Sequence, residues 1–230
     1  MVRKIYEGYD YIDPDNLYTY PHSSVLINKF NEKNDNKARE LEYRLVASQS
    51  LKLFINPIEV NTVSDILKIH KFLFEGMYTW AGQYRQVNIS KSGNAFMPVQ
   101  SFDMAEKFLN TLLSNYLLNA NNKIEICKSL AEILDNLNYF HPFREGNGRS
   151  TRIWLDLILK EELQKVVDWN LIDKADYLSA MERSPINDLE IRYLISNALT
   201  DKIDDRELYM KGIDVSYFYE GYSEYTIDDL

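Results

Sequence analysis

Apolar side chains recur at helical spacing through most of the chain. Residues 36–54 carry them at intervals of three and four and stop before Pro57, and residues 62–74 repeat the pattern behind a Thr62 or Ser64 cap. The period then changes. Residues 83–99 alternate in part, with Ser92, Gly93 and Asn94 as the turn, which predicts a β-hairpin. Helical spacing returns over 101–118 and 123–140. Residues 149–163 are apolar on nearly every side beyond their first turn, the mark of a central helix packed on several neighbours. Helices over 174–182 and 187–199 and a short one over 215–220, ended by Gly221, complete the pattern. Residues 1–23, rich in Tyr, Asp and Pro, read as an irregular lead-in, and residues 223–230 as a solvated acidic end. The expectation is an all-α chain: one domain over 1–230, a helical bundle around a central helix, with a small hairpin flap.

Composition narrows the function classes. At 230 residues the chain is long enough to bury a sizeable core, and 45% hydrophobic with 27% charged residues is ordinary for a folded soluble protein. Cys127, the single cysteine, has no partner for a disulfide and falls on the apolar side of a helical pattern, as a small core residue would. No apolar run has the length of a membrane span and the start lacks a signal peptide, so a membrane is not expected and a reducing cytoplasm is the expected home. A net charge of -9 without a basic stripe argues against nucleic acid as the main partner. His22 and His70 have no carboxylate or cysteine at ligand spacing and read as structural or solvent-exposed; Trp80, Trp154 and Trp169 read as core anchors.

Against that background HPFREGNGRSTR, residues 141–152, stands apart, because it concentrates three arginines, two glycines, a histidine and a glutamate. Pro142 stops one helix, and Gly146 and Gly148 permit backbone angles that turn successive N–H groups toward one point. The helix starting near Arg149 adds free N–H groups and its positive dipole end, and Arg149 and Arg152 share its first turn. Such a loop is a bed for phosphates. Glu145 would repel them unless a divalent cation intervened, and Mg²⁺ is commonly held by one or two carboxylates plus phosphate oxygens. His141 can take a proton near neutrality and so activate a hydroxyl. A plain turn between helices with surface charges would hold many of the same residue types. The Walker loop and the dinucleotide fingerprint are both absent.

The segment resembles the signature of the Fic family, His-x-Phe-x-Asp/Glu-Gly-Asn-Gly-Arg with a second Arg three residues on, and every defining position is present. GQYRQVNI (82–89) is similar to the family's flap, and SAMERSPINDLEIRYLI and GIDVSYFYEGY resemble the carboxy-terminal part of some bacterial members. The resemblance implies the Fic fold, with a catalytic core over about 62–165, and transfer of AMP from ATP to a Ser, Thr or Tyr hydroxyl of a target protein or of the enzyme itself. It implies His141 as general base, Glu145 as the Mg²⁺ ligand, and Asn147, Arg149 and the Gly146 and Gly148 backbone as the phosphate cradle. Arg152 would reach the γ-phosphate, and Arg144, at a variable position, would be auxiliary. Val87, Asn88, Ile89 and Ser90 would dock the target by strand addition, with Lys91, Ser92 and Gly93 near the nucleotide.

SYFYEG (216–221) resembles the family's inhibitory motif, on a carboxy-terminal inhibitory helix over about 214–221. Ser216 and Glu220 belong to it, Glu220 competing with the γ-phosphate for Arg152. Tyr217, Tyr219 and Tyr222 are candidate sites of modification that would relieve it, with aromatic packing as the competing role. By analogy with similar bacterial proteins, candidate targets include type II topoisomerase subunits and the enzyme itself, and self-association is a candidate way of holding the helix. Two other uses stay open at this point: removal of AMP or transfer of another phosphate-containing group at the same site, and a nucleotide-sensing module without turnover.

Overall fold

The first helix, α1 (Asp35–Ile55), begins where the Asn34 side chain accepts the Lys37 N–H at 3.1 Å, and it ends ahead of Pro57. The computed structural model describes residues 17–91, 94–119, 123–184 and 186–221. The expected turn residues Ser92 and Gly93, the lead-in up to residue 16, Tyr222 and the acidic end lie outside the described residues, as does the side chain of Cys127.

A 3₁₀ turn (Val63–Asp65) leads into α2 (Ile66–Phe74). One Asp65 oxygen organises the entry by accepting the Asn61 and Thr62 N–H groups and the Thr62 hydroxyl, all within 2.9 Å. A flap with strands β1 (Ser90–Lys91) and β2 (Asn94–Ala95) follows, then α3 (Phe102–Asn119), α4 (Lys123–Phe140) and α5 (Asn147–Leu163). The carboxy-terminal third holds β3 (Val166–Val167), α6 (Lys174–Arg183), α7 (Leu189–Ala198), β4 (Leu199–Thr200) and α8 (Arg206–Tyr219), with β3 and β4 in a second antiparallel pair. The architecture is mostly helical, as the apolar pattern predicts. No helix among the described residues is long and apolar enough to cross a membrane.

The central helix is α5. It packs against α2, α4, α8 and β3, and Ile153, Trp154, Leu155, Ile158 and Leu159 are all buried. Trp154 ties it to the start of α2 by donating its indole N–H to the Thr62 carbonyl at 2.9 Å. This buried rod carries the polar loop on its amino-terminal end, so the loop is anchored to the most rigid part of the core.

Two elements differ from expectation. The hairpin ladder is far shorter than residues 83–99: β1 and β2 pair only Ser90 with Ala95 and Lys91 with Asn94, extended by one bond from the Phe96 N–H to the Ile89 carbonyl at 3.1 Å. The carbonyls of Val87 and Met97, which a longer ladder would use, instead accept from the Arg85 guanidinium. The last helix is longer than 215–220. Asp205 caps it by accepting the Leu208 N–H at 3.0 Å, and Gly212 lets it lie flat on Trp169, whose Cδ1 would stand 3.3 Å from a Cβ there. A mid-helix glycine costs about 1 kcal/mol against alanine and breaks the apolar stripe, which hides the first turns from a periodicity reading.

Candidate active site

His141 leaves the end of α4 with a positive φ of 44°, a backbone state that costs a non-glycine residue about 1–3 kcal/mol and persists only where neighbours enforce it. Its Nδ1 lies 3.1 Å from the Asn138 carbonyl. A carbonyl can only accept, so Nδ1 carries the proton and Nε2 keeps its lone pair. The ring stacks on Phe96 of the flap, with centroids 3.7 Å apart. Burial pushes the imidazole down to about 3, and the charges of Arg85, Lys91 and Arg144 push the same way, so His141 is neutral at pH 7.

After Pro142 the chain turns through Phe143 to Gly146. Asn147 staples that turn: its Oδ1 accepts the Phe143 N–H and its Nδ2 donates to the Phe143 carbonyl, both at 2.8 Å. Its amide is thus spent on the loop, and Asn147 faces a ligand through its backbone N–H at the first position of α5. Gly146 has φ +76°, and a Cβ there would come within 2.4 Å of the Phe74 ring, so only glycine fits. The first bond along the helix runs from the Ser150 N–H to the Gly146 carbonyl. The N–H groups of Asn147, Gly148 and Arg149 therefore have no partner within it.

Two residues hold this loop from outside: His70, for which the structural reading holds, and Arg85, which sequence reasoning missed. His70 accepts the Gly82 N–H at Nδ1 (2.8 Å), so its Nε2–H donates to the Glu145 carbonyl at 3.0 Å, while its ring stacks on Phe143 at 3.7 Å. Burial depresses its imidazole to about 3, so it is a neutral strut. His70 falls with Ile66, Ile69, Leu73 and Phe74 on the buried side of α2, and that placement was its only sequence signal. Arg85 is buried and reaches the His141 carbonyl from the flap at 2.8 Å.

The two arginines of the first turn of α5 stand in different surroundings. Arg149, fully buried, donates to Glu42 at 2.5 Å, to the Tyr217 hydroxyl at 2.7 Å and to Glu145 at 3.1 Å. Its Nε lies 2.9 Å from the Glu220 carboxylate in an ion pair too bent for a hydrogen bond. Glu42 was also missed, although it shares the buried face of α1 with Ala38 and Val46 at four-residue spacing. Arg152 donates to the Ser216 hydroxyl at 2.7 Å, the Ser216 carbonyl at 3.3 Å and Glu220 at 3.2 Å. Its guanidinium lies among the rings of Trp169, Tyr177 and Tyr219, 5.4–5.9 Å from their centroids.

Glu220 thus spans both guanidiniums, directly over Gly148, where a Cβ would be 2.7 Å from its carboxylate. Three carboxylates face two guanidiniums here. Burial raises the Glu220 carboxyl, Arg149 and Arg152 oppose the rise, and Glu145 and Glu42 add to it. Tyr217 and Tyr219 are buried, Tyr219 donating to the Ile172 carbonyl at 2.7 Å, so both take the packing role.

Among the described residues no group of three or more His, Cys, Asp or Glu forms a metal cluster. Glu145 engages one oxygen, with Gly146 N–H at 3.0 Å and Arg149, which leaves the other as a single carboxylate donor. That donor set suits an Mg²⁺ completed by phosphate oxygens and no metal bound by protein alone. Of the flap residues, Ile89 is buried, the Asn88 side chain accepts the Val99 N–H at 3.0 Å, the Val87 carbonyl accepts from Arg85, and Ser90 and Lys91 lie in the ladder.

Residues 60–159 match the model of the Fic/DOC family. Among curated proteins, a probable protein adenylyltransferase Fic of Escherichia coli K12 is 25% identical over 196 residues, covering 83% of this chain and 94% of that protein. The protein adenylyltransferase VbhT of Bartonella schoenbuchensis is 27% identical over 236 residues, 92% of this chain and 48% of VbhT. Among solved structures, BepC of Bartonella tribocorum with bound AMPPNP superposes with a TM-score of 0.70 at 22% identity, covering 80% of this chain and 97% of that one, a likeness of fold.

Proposed function

We propose that this chain, residues 60–159 of which match the Fic/DOC family, transfers AMP from ATP to a Ser, Thr or Tyr hydroxyl of a protein. The observation that carries this reading is the neutral His141, with its Nε2 lone pair fixed by the Asn138 carbonyl, on the loop that leads into the unpaired N–H groups of α5. His141 Nε2 takes the proton of the target hydroxyl as its oxygen bonds to the α-phosphorus. The bond from that phosphorus to the oxygen bridging to the β-phosphate breaks, and pyrophosphate leaves. The α5 N–H groups and the guanidinium of Arg149 oppose the negative charge that develops on the phosphoryl oxygens. Glu145, together with phosphate oxygens, would hold an Mg²⁺ that neutralises the α- and β-phosphates. The edge of β1 and β2 is the proposed docking line for the target, main-chain pairing aligning the hydroxyl while reading little of its sequence.

The same reading makes Glu220 a brake. Its carboxylate occupies the guanidinium edge of Arg152 that a terminal phosphate would take. The cluster already holds one carboxylate more than it holds guanidiniums, so an arriving triphosphate is disfavoured until Glu220 withdraws. Lys174 favours the docked state, since its ammonium donates to the Phe218 carbonyl and lies 4.3 Å from the Phe218 ring.

Incubating the protein and a cell extract with ATP labelled at the α- or the γ-phosphate tests the reaction. The expected outcome is protein-bound α-label, reduced about 10²- to 10⁴-fold in His141→Ala. Transfer of γ-label, or equal α-labelling by wild type and His141→Ala, would overturn it.

A further inference from the structure

A guanidinium in the interior normally has a carboxylate beside it. Arg85 is 2% exposed, and among the described residues no carboxylate pairs with it. Its donors go to backbone carbonyls: Nε to His141 at 2.8 Å, Nη1 to Val87 at 2.6 Å, and Nη2 to Met97 at 2.6 Å and Phe140 at 3.5 Å. Its own N–H donates to the Pro142 carbonyl at 2.8 Å. One side chain therefore joins both limbs of the flap to the two peptide units that bracket the general base.

We propose that Arg85 is a positioning residue for His141: by holding the carbonyls of Phe140 and His141 it fixes the strained backbone from which the imidazole projects. The inference rests on His141 being the general base. A planar five-donor fork can hold several carbonyls at once, whereas a lysine ammonium in the same place can satisfy one or two. The cation leans on one face of Phe102, with Cζ 4.8 Å from the ring centroid, and this fixes its plane. Burial is the main reason the imidazole stays neutral, and the cations Arg85 and Lys91 from the flap and Arg144 from the loop add to it. The nearby carboxylates Glu145 and Glu220 are paired with Arg149 and Arg152. Flap closure and base geometry are thus one mechanical unit, and a flap displaced by a badly fitting target would also displace the base.

The chain has three histidines, His22, His70 and His141, so their ring resonances can be assigned by substitution and followed through a titration. In the wild type the His141 ring should stay neutral between about pH 5 and 8. In Arg85→Met its midpoint should rise toward, but not reach, the ordinary imidazole value, because burial remains, and kcat for AMP transfer should fall by about 100-fold with the KM for ATP nearly unchanged. Arg85→Lys keeps the charge and loses the fork, so kcat should fall by about tenfold while the His141 midpoint stays at its wild-type position. A wild-type kcat and an unmoved midpoint in Arg85→Met would overturn the proposal. So would parallel losses of kcat, ATP affinity and melting temperature without a midpoint shift, because that is the pattern of a purely structural residue. If Arg85→Met does not fold, Arg85→Lys decides: a wild-type kcat there overturns the proposal. A Glu220→Gly protein that transfers no AMP would refute the reaction, and the titration would still judge Arg85.

Discussion

Arg149 and Arg152 leave the same turn of α5, three residues apart, and differ in what they would do if Glu220 moved away. Arg149 would keep Glu42, Glu145 and the Tyr217 hydroxyl, and its guanidinium lies between the rings of Phe74 and Tyr217, 4.9 and 4.4 Å from their centroids. Arg152 would lose the one carboxylate paired with it among the described residues and keep only Ser216 and an aromatic surround. An aromatic cage holds a cation in place without neutralising it, so Arg152 would be left positioned and short of negative charge. One arginine is built into the fold, and the other would be open to an anion once Glu220 moved.

Stability measurements should separate the two most widely. Arg149→Met strands the buried carboxylates of Glu42 and Glu145 around an apolar side chain, and removing one partner of a buried pair costs about 3–5 kcal/mol. Arg152→Met leaves the partly exposed Glu220 its pair with Arg149 and puts an apolar side chain among rings, so its expected cost is about 1–2 kcal/mol. Urea unfolding of both variants gives the comparison directly. Equal losses would mean that the fold uses the two residues alike.

The next effect is on activity. Glu220→Gly leaves Arg149 its other carboxylates and frees Arg152, so transfer of α-label from ATP should rise by about 10- to 100-fold, equivalent to roughly 1.4–2.8 kcal/mol at the barrier. The melting temperature should move little, because the cluster sheds its excess negative charge as it loses the ion pairs. An unchanged labelling rate would remove the brake, and with it the functional half of the contrast between the arginines.

How much of this was legible in the sequence divides along the same line. The order of residues 141–152 was enough to predict a glycine turn that leaves free N–H groups at the start of a central helix, because glycine freedom and proline stops act locally. The partners that distinguish Arg149 from Arg152 arrive from far away: Glu42 is 107 residues from Arg149, Tyr217 is 68, and the rings around Arg152 come from the segment after β3, from α6 and from α8. No periodicity brings such residues together. The flap was overextended for a related reason. Alternation from 83 to 99 describes which side chains face inward, whereas Arg85 decides which carbonyls are left for a ladder, and a buried arginine inside a hairpin pattern gives no warning of that role. The pairing of Glu220 with Arg152 was anticipated from the motif on α8, while its second contact, with Arg149, was not.

The smallest expected effect bears on the finest point, namely what Ser216 is for. Its hydroxyl accepts from Arg152 Nε, and its carbonyl accepts from Nη2, the nitrogen that also meets Glu220. Ser216→Ala removes one hydrogen bond to a charged group, worth about 1 kcal/mol, which caps the change in transfer at roughly fivefold. If Ser216 orients Arg152 toward Glu220, the variant should gain activity in the otherwise wild-type protein and have no effect once Glu220 is glycine. If Ser216 instead presents Arg152 to the terminal phosphate, the substitution should lower transfer in the Glu220→Gly background and raise the KM for ATP. The hydroxyl meets Nε and leaves Nη2, the nitrogen that meets Glu220, to be taken by carboxylate or phosphate. That geometry favours the second outcome: in the proposed reaction Ser216 would aim Arg152 and Glu220 would block it, so a motif that looks like one inhibitory unit would divide into a part that serves the reaction and a part that restrains it.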